Sequence, residues 1–214
     1  MATPTPTRPP QSARSRVQGA GEEEACDPVL IREAGPGDAL AMAQIQVDGW
    51  RTAYASFIPD RIPASYSLEV RHGEWQKCLA EPLPGTAHLV ALEAGAVVGI
   101  CSGGPPLRDE VITEGGTQDY TAQVYGLYVA PASYRRGIGR GLLGELARRL
   151  ADLGNRNLCL WAFELNPYRQ FYDRLGGKPV ARAVWQVGET EVREMAYGWP
   201  EIESLIRACS PGPE

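Results

Sequence analysis

Between Tyr134 and Gly141 the chain reads Tyr-Arg-Arg-Gly-Ile-Gly-Arg-Gly, with three arginines and three glycines in eight residues. An extended apolar run, Gln123 to Val129, leads into this turn, and an amphipathic helical pattern begins near Arg140. Such a strand-to-helix turn suits a phosphorylated ligand. The first turn of a helix has backbone N–H groups without intrahelical partners and a partial positive charge, so anions are stabilised there. Glycines let that backbone approach the ligand, and arginines add charge. The candidate ligand contacts are therefore Arg135, Arg136, Gly137, Ile138, Gly139, Arg140 and Gly141. Without the glycines beside them, the arginines would read as a solvated cluster. Two common nucleotide motifs are excluded. No G-x-x-x-x-G-K-[ST] occurs, and a G-x-G-x-x-G counted from Gly137 meets Leu142 at its third glycine position.

Other chemistry-bearing residues are sparse. His72 and His88 form no cluster at ligand spacing, so no metal is expected. Five cysteines (Cys26, Cys78, Cys101, Cys159, Cys209) are dispersed without a CxxC pair, which reads as reduced thiols in a cytoplasmic protein. Cys101 and Cys159 lie in apolar runs and read as small core residues. The net charge of −5 argues against nonspecific nucleic-acid binding, and no apolar run approaches the ~18 residues needed to span a bilayer. With 43% hydrophobic and 22% charged residues in 214, the composition is that of an ordinary globular protein.

The elements that must position the turn follow from periodicity and punctuation. Residues 1–28 lack large apolar side chains and read as a disordered tail; 29–207 read as one domain and 208–214 as a flexible tail. A short strand, Val29 to Arg32, is followed by the turn Gly35-Pro36-Gly37-Asp38, whose aspartate is a good N-cap. Ala39 to Tyr54 carries apolar residues at helical spacing, and a second helix spans about Leu68 to Leu79. His88 to Leu92 and Ala96 to Cys101 flank Ala94-Gly95 as a β-hairpin. Residues 103–119 are expected to form a long loop. Gly126 suggests a bulge inside the Gln123–Val129 strand. The helix after the glycine turn should bury Leu143, Leu146, Ala147 and Leu150 and end at Gly154. Leu158 to Phe163 is a buried strand, and Asn166-Pro167 should start a helix ending at Gly176-Gly177. Two strands around Gly188 and a terminal helical turn complete the order. The fold expected is an α/β, or α+β three-layer, domain. The Gln123-to-Phe163 crossover makes those two strands a parallel pair.

Three blocks then resemble the GNAT family of N-acetyltransferases over nearly all of Val29 to Trp199. "VYGLYVAPASYRRGIGRGLL" is similar to the family's fourth strand, acetyl-CoA loop and third helix. "LWAFELNPYRQFYDRLGG" resembles its fifth strand and fourth helix, and "GWRTAYASFIPDRIP" its acceptor-side helix. The resemblance implies a mixed, mostly antiparallel central sheet with helices on both faces and a parallel strand pair splayed at the cofactor site. The family loop is often written Q/R-x-x-G-x-G/A. Aligned on Gly137 and Gly139, the Q/R position is Tyr134, which shifts weight from side chains to backbone amides.

By that resemblance the co-substrate is acetyl-CoA, with no metal, and a primary amine of a small molecule or peptide accepts the acetyl group by direct attack on the thioester. The pantetheine arm pairs with Leu127, Tyr128 and Val129, and Asn166 contacts it or simply caps a helix. Tyr172 matches the general acid that protonates the departing thiolate; without the motif it reads as packing. Trp50 and Tyr54 border the acceptor pocket or are plain core, and Tyr125 is a further candidate there, as ambiguous as Trp161. Gln123 stands where some members carry an acid, so deprotonation of the amine falls to water, a backbone carbonyl or a carboxylate from elsewhere, with Asp119 and Glu164 as weak candidates. A noncatalytic acyl-CoA-binding or regulatory module is the alternative reading. The oligomeric state is open; an exposed apolar final strand would suggest a homodimer.

Overall fold

Ile138, Leu142, Leu143, Leu146, Ala147 and Leu150 recur at helical spacing, and all are buried along one face of a single helix. In the computed structural model, which describes residues 28–54, 66–107, 111–187 and 190–210, this helix packs on a mixed β-sheet. The strands are β1 (Leu30–Glu33), β2 (Ala87–Glu93), β3 (Ala96–Gly104), β4 (Val111–Gly115), β5 (Gln123–Val129), β6 (Leu158–Phe163), β7 (Lys178–Val187) and β8 (Thr190–Trp199). The helices are α1 (Ala39–Tyr54), α2 (Leu68–Ala80), α3 (Ile138–Asp152), α4 (Gln170–Arg174) and α5 (Ile202–Cys209). Among the described residues the strand order is β1-β2-β3-β5-β6-β8-β7-β4.

Helices α3 and α5 cover one face of the sheet, over the main core, while α1 and α2 cover the other around Met42, Val90 and Ile100. Gly144 lets α3 and α5 meet: a Cβ there would lie 2.6 Å from the Cys209 Cβ, closer than real carbon atoms approach. The end of α5 is tied to the start of α3, because the Arg140 guanidinium donates to the carbonyls of Ala208 (3.0 Å) and Ser210 (2.5 Å). These orphan carbonyls at a helix C-terminus would otherwise need water.

Two features of the sheet open the site. The register slips between Ser102–Gly126 and Gly103–Val124, leaving Tyr125 as the extra residue of a bulge, beside the glycine that suggests one. Beyond it the parallel pair β5–β6 holds register only at Gln123–Cys159 and Val124–Leu160. Past those rungs the two strands part.

The structure differs from the sequence expectations in places. The expected loop at 103–119 contains the end of β3 and all of β4. Strand β4 crosses to the far edge of the sheet and pairs antiparallel with β7, Val111 opposite Val184 and Gly115 opposite Ala181. The glycines around Val111-Ile112-Thr113 mask a short β-branched run. The glycine-turn helix starts at Ile138 rather than near Arg140, with Gly137 as N-cap at φ 80°. The helix expected from Asn166 begins only at Gln170, because the Asn166 carboxamide oxygen accepts from the Tyr168 N–H (2.8 Å) and closes a local turn instead. At the ends, residues 1–27 and 211–214 lie outside the described residues, while Ala208 and Cys209 belong to α5.

Candidate active site

The parted ends of β5 and β6 border a cleft of about 490 Å³. Strand β5 contributes Leu127, Tyr128 and Val129; the turn and α3 contribute Tyr134, Arg135, Gly137, Ile138, Gly139 and Arg140. The segment after β6 adds Asn166, Tyr168, Phe171 and Tyr172, and α1 closes the cleft with Gly49, Ala53 and Tyr54.

The anion end is built from backbone. Arg135 (φ 62°) and Gly137 (φ 80°) both adopt left-handed conformations, which turn the chain sharply into α3. The first turn of α3 holds no acidic residue to compete for its N–H groups. The Gly141 N–H is already committed to the Gly137 carbonyl (2.9 Å), and a Cβ at Gly141 would lie 2.9 Å from Ile31, so this glycine serves helix-to-strand packing. The three arginines separate by partner. Arg136 turns away to Glu93 of the β2–β3 hairpin, with Nη1 2.8 Å from the carboxylate and a second bond through Nη2. Arg140 caps α5. Arg135 remains exposed at the cleft wall, and no ion pair engages it among the described residues. Tyr134 sets its ring edge-on to Tyr168 at 5.4 Å across the cleft, and burial pushes its hydroxyl up to about 12. It forms wall, not charge.

The reacting end is aromatic. Tyr172 packs between Phe171 (5.4 Å) and Tyr197 (5.5 Å). Burial, then the neighbouring Tyr54, pushes its hydroxyl well above the ordinary tyrosine value, so it keeps its proton at neutral pH. That hydroxyl has no hydrogen-bond partner among the described residues, which leaves its proton available to the cleft. The Asn166 amide nitrogen donates to the Tyr54 hydroxyl (3.2 Å), joining α1 to the turn after β6. Asn166 is thereby held from both ends of its carboxamide.

The remaining sequence candidates lie around this cleft rather than in its lining. Trp50 is buried with Phe163 and Val192 and stacks on Tyr66 at 4.7 Å. Tyr125 donates to the Pro105 carbonyl (2.6 Å), and the buried Gln123 accepts from the Leu107 N–H (3.1 Å), so both hold the segment after β3. Asp119 accepts through its carbonyl from Asn157 (2.9 Å), next to Thr121 at the N-terminal end of β5 and away from the parted strands. Glu164 is ion-paired with Arg182. The buried Trp161 indole N–H has no hydrogen-bond partner among the described residues. Glu194 on β8 is a residue that sequence reasoning misses. It lies directly across from Phe163, on the face that carries Val192. A signal exists for it: Val192, Glu194 and Ala196 alternate inward, and Glu194 is the one acid among them.

Comparison with known proteins agrees with this geometry. A model of the acetyltransferase (GNAT) domain matches residues 84–176. The chain is 29% identical over 177 residues to the uncharacterized N-acetyltransferase YuaI of Bacillus subtilis (strain 168), a match covering 83% of this chain and 96% of that protein. Its fold is similar to that of PaiA N-acetyltransferase from Thermoplasma acidophilum in complex with coenzyme A (TM-score 0.57, 18% identity, 80% and 99% of the two chains). It is also similar to YncA of Salmonella typhimurium with its cofactor acetyl-CoA (TM-score 0.58, 21% identity, 82% and 95% of the two chains). At these identities the structural likeness is one of fold. Among the described residues no helix is long and apolar enough to cross a membrane, and no group of His, Cys, Asp and Glu could hold a metal.

Proposed function

Given that the chain belongs to the GNAT family of N-acetyltransferases, we propose that it moves the acetyl group of acetyl-CoA to a primary amine by direct attack on the thioester, with Tyr172 as general acid. One observation carries the reading: β5 and β6 part directly beside the N-terminus of α3, and Tyr172 lines the same cleft.

The donor set fits acetyl-CoA. The amides of Gly137 to Arg140 and the Arg135 guanidinium suit the pyrophosphate, since a helix N-terminus without acids favours anions. The edge of β5 at Leu127, Tyr128 and Val129 lacks a β6 partner and offers backbone groups to the pantetheine amides. A backbone N–H there is also suited to the thioester carbonyl, where negative charge develops. Asn166, fixed by Tyr168 and Tyr54, keeps a second amide hydrogen for the same arm.

Tyr172 then supplies the proton for the departing thiolate. A phenol whose pKa is raised by burial gives up its proton reluctantly, but the same dry cleft raises the basicity of a thiolate formed in it. The lone pair of the neutral amine forms the carbon–nitrogen bond, the carbon–sulfur bond breaks and the sulfur takes the Tyr172 proton; the nitrogen gives up one proton to water, and water reprotonates the Tyr172 phenolate. No covalent enzyme intermediate is required.

The test is a thermal melt with acetyl-CoA followed by a CoA-thiol release screen across amine classes. A raised melting temperature together with thiol release from at least one amine supports the reading. A shift with no release from any class would instead mark a noncatalytic acyl-CoA-binding module.

A further inference from the structure

Side chains alternate across the end of β5 that borders the cleft. Leu127 and Val129 turn to the α3 side and pack against the main core. Tyr128 turns to the α1 side, where it packs on the cluster of Met42, Val90 and Ile100 and still lines the cleft.

The Tyr128 ring is wedged between two glycines. A Cβ on Gly49 of α1 would lie 2.8 Å from Tyr128 Cδ1, and a Cβ on Gly126 of β5 would lie 2.8 Å from Tyr128 Cε2. Those two atoms are opposite corners of the ring, so the ring fills the slot between helix and strand with no space left for a methyl group on either side. Its tip is held as well. The hydroxyl shares hydrogen bonds with the Gln46 side chain and the Tyr66 hydroxyl. Gln46 is fixed in turn, because its Oε1 accepts from the Trp75 indole N–H (2.9 Å). A ring held at two corners and at its tip does not swing aside, since close-packed surroundings transmit strain rather than absorb it.

This ring stands at the reacting end of the cleft. The Tyr54 and Tyr172 hydroxyls lie close enough to add, after burial and Tyr66, to the upward push on the Tyr128 hydroxyl. In the reaction proposed above, the thioester sulfur meets Tyr172 and the carbonyl oxygen meets an N–H on the free edge of β5. The acyl group therefore starts between Tyr172 and β5, beside Tyr128.

We propose that Tyr128 is the acyl-length stop of this protein: its ring fills the slot between Gly49 and Gly126 that a longer chain would need, so the cleft takes acetyl-CoA and rejects butyryl-CoA and longer thioesters. The proposal rests on acetyl transfer at the same cleft. The ring, and not its hydroxyl, sets the limit. Extra methylenes can enter only by displacing the ring together with its partners in α1 and α2.

The experiment titrates the full chain with free coenzyme A, acetyl-CoA, propionyl-CoA and butyryl-CoA by calorimetry, in wild type, Tyr128→Phe and Tyr128→Leu. Wild type should bind butyryl-CoA at least about tenfold more weakly than acetyl-CoA, with propionyl-CoA between them. Tyr128→Phe, which keeps the ring, should keep most of that gap. Tyr128→Leu, which vacates the far half of the slot, should close it to within about threefold. A thermal melt checks that each variant is folded. If Tyr128→Leu is not, Tyr128→Met takes its place with the same expected result, because a methionine chain fills the slot but yields to a ligand. Equal binding of acetyl-CoA and butyryl-CoA by wild type overturns the proposal. So does a gap that survives loss of the ring, or one that vanishes equally in Tyr128→Phe. Thiol release with the amines of the earlier screen, measured in parallel, separates the two levels. A binding gap without release from any amine defeats acetyl transfer and leaves the stop standing. Equal release from acetyl-CoA and butyryl-CoA by wild type defeats the stop and leaves acetyl transfer standing.

Discussion

Replacing Tyr172 by phenylalanine removes one oxygen from the cleft and little else. The ring keeps its contacts with Phe171 and Tyr197. The hydroxyl has no hydrogen-bond partner among the described residues, so no protein bond is broken. Folding stability should therefore stay within about 0.5 kcal/mol of wild type. A general acid is typically worth ~10²–10⁴ in rate, or about 2.7–5.4 kcal/mol at 1.36 kcal/mol per decade. The loss should fall on kcat, measured by thiol release under single-turnover conditions, with KM for acetyl-CoA changed by less than about twofold. The wild-type profile supplies a second reading. Because the Tyr172 pKa is raised above its ordinary value of about 10, the acid form persists across the neutral and mildly alkaline range. No alkaline loss of kcat below pH of about 10 should therefore trace to Tyr172. A Tyr172→Phe enzyme that keeps its single-turnover rate would refute the acid role. A slower enzyme whose melting temperature also falls steeply would trace the loss to packing, and would refute it equally.

The arginines of the turn should separate by function. Arg135→Ala should raise KM for acetyl-CoA roughly fivefold at low salt and less at high salt, while Arg136→Ala leaves KM unchanged and costs less than about 1 kcal/mol of stability through its Glu93 pair. Leu146→Ala removes a fully buried side chain from the α3 face and should destabilise by about 2–5 kcal/mol in a denaturant melt. His88 is buried, its Nδ1 has no partner among the described residues, and burial lowers its pKa, so the unfolded chain binds the proton more readily. Stability from that source is complete above the unfolded value of about 6.5 and is lost as pH falls through the lower folded value. The Asp38 pair with Arg32 adds a separate loss, only below about pH 3.9. A His88→Gln variant that retains the full stability loss between about pH 6.5 and 4 would contradict the first assignment.

Much of the site frame is legible in the sequence because its signals are local. The apolar run Gln123 to Val129, the three-to-four spacing of Leu143 to Leu150 and the run Leu158 to Phe163 each match an observed element closely. Legibility fails where a partner is distant in sequence. Local pattern cannot divide Arg135 from Arg136, since the difference is a carboxylate 43 positions away. Asn166 has two competing local uses, and its turn to Tyr168 displaces the helix start. Strand β4 is too short to declare itself and exists through pairing with β7. Glu194 acquires meaning only once the register sets it opposite Phe163.

That distant pairing of β4 has a kinetic meaning. Its edge of the sheet is completed by residues more than sixty positions downstream, and the loop entropy of that closure must be met before any rung rewards it. The β7–β8 ribbon has to be in place first, so β4 docks among the last elements as the chain folds. Its single row of partners leaves it among the first to come away. Amides of Val111 to Gly115 should exchange with solvent water ahead of those in β5 and β6, and a protease that finds this strand will cut a chain whose acetyl-transfer cleft is still assembled.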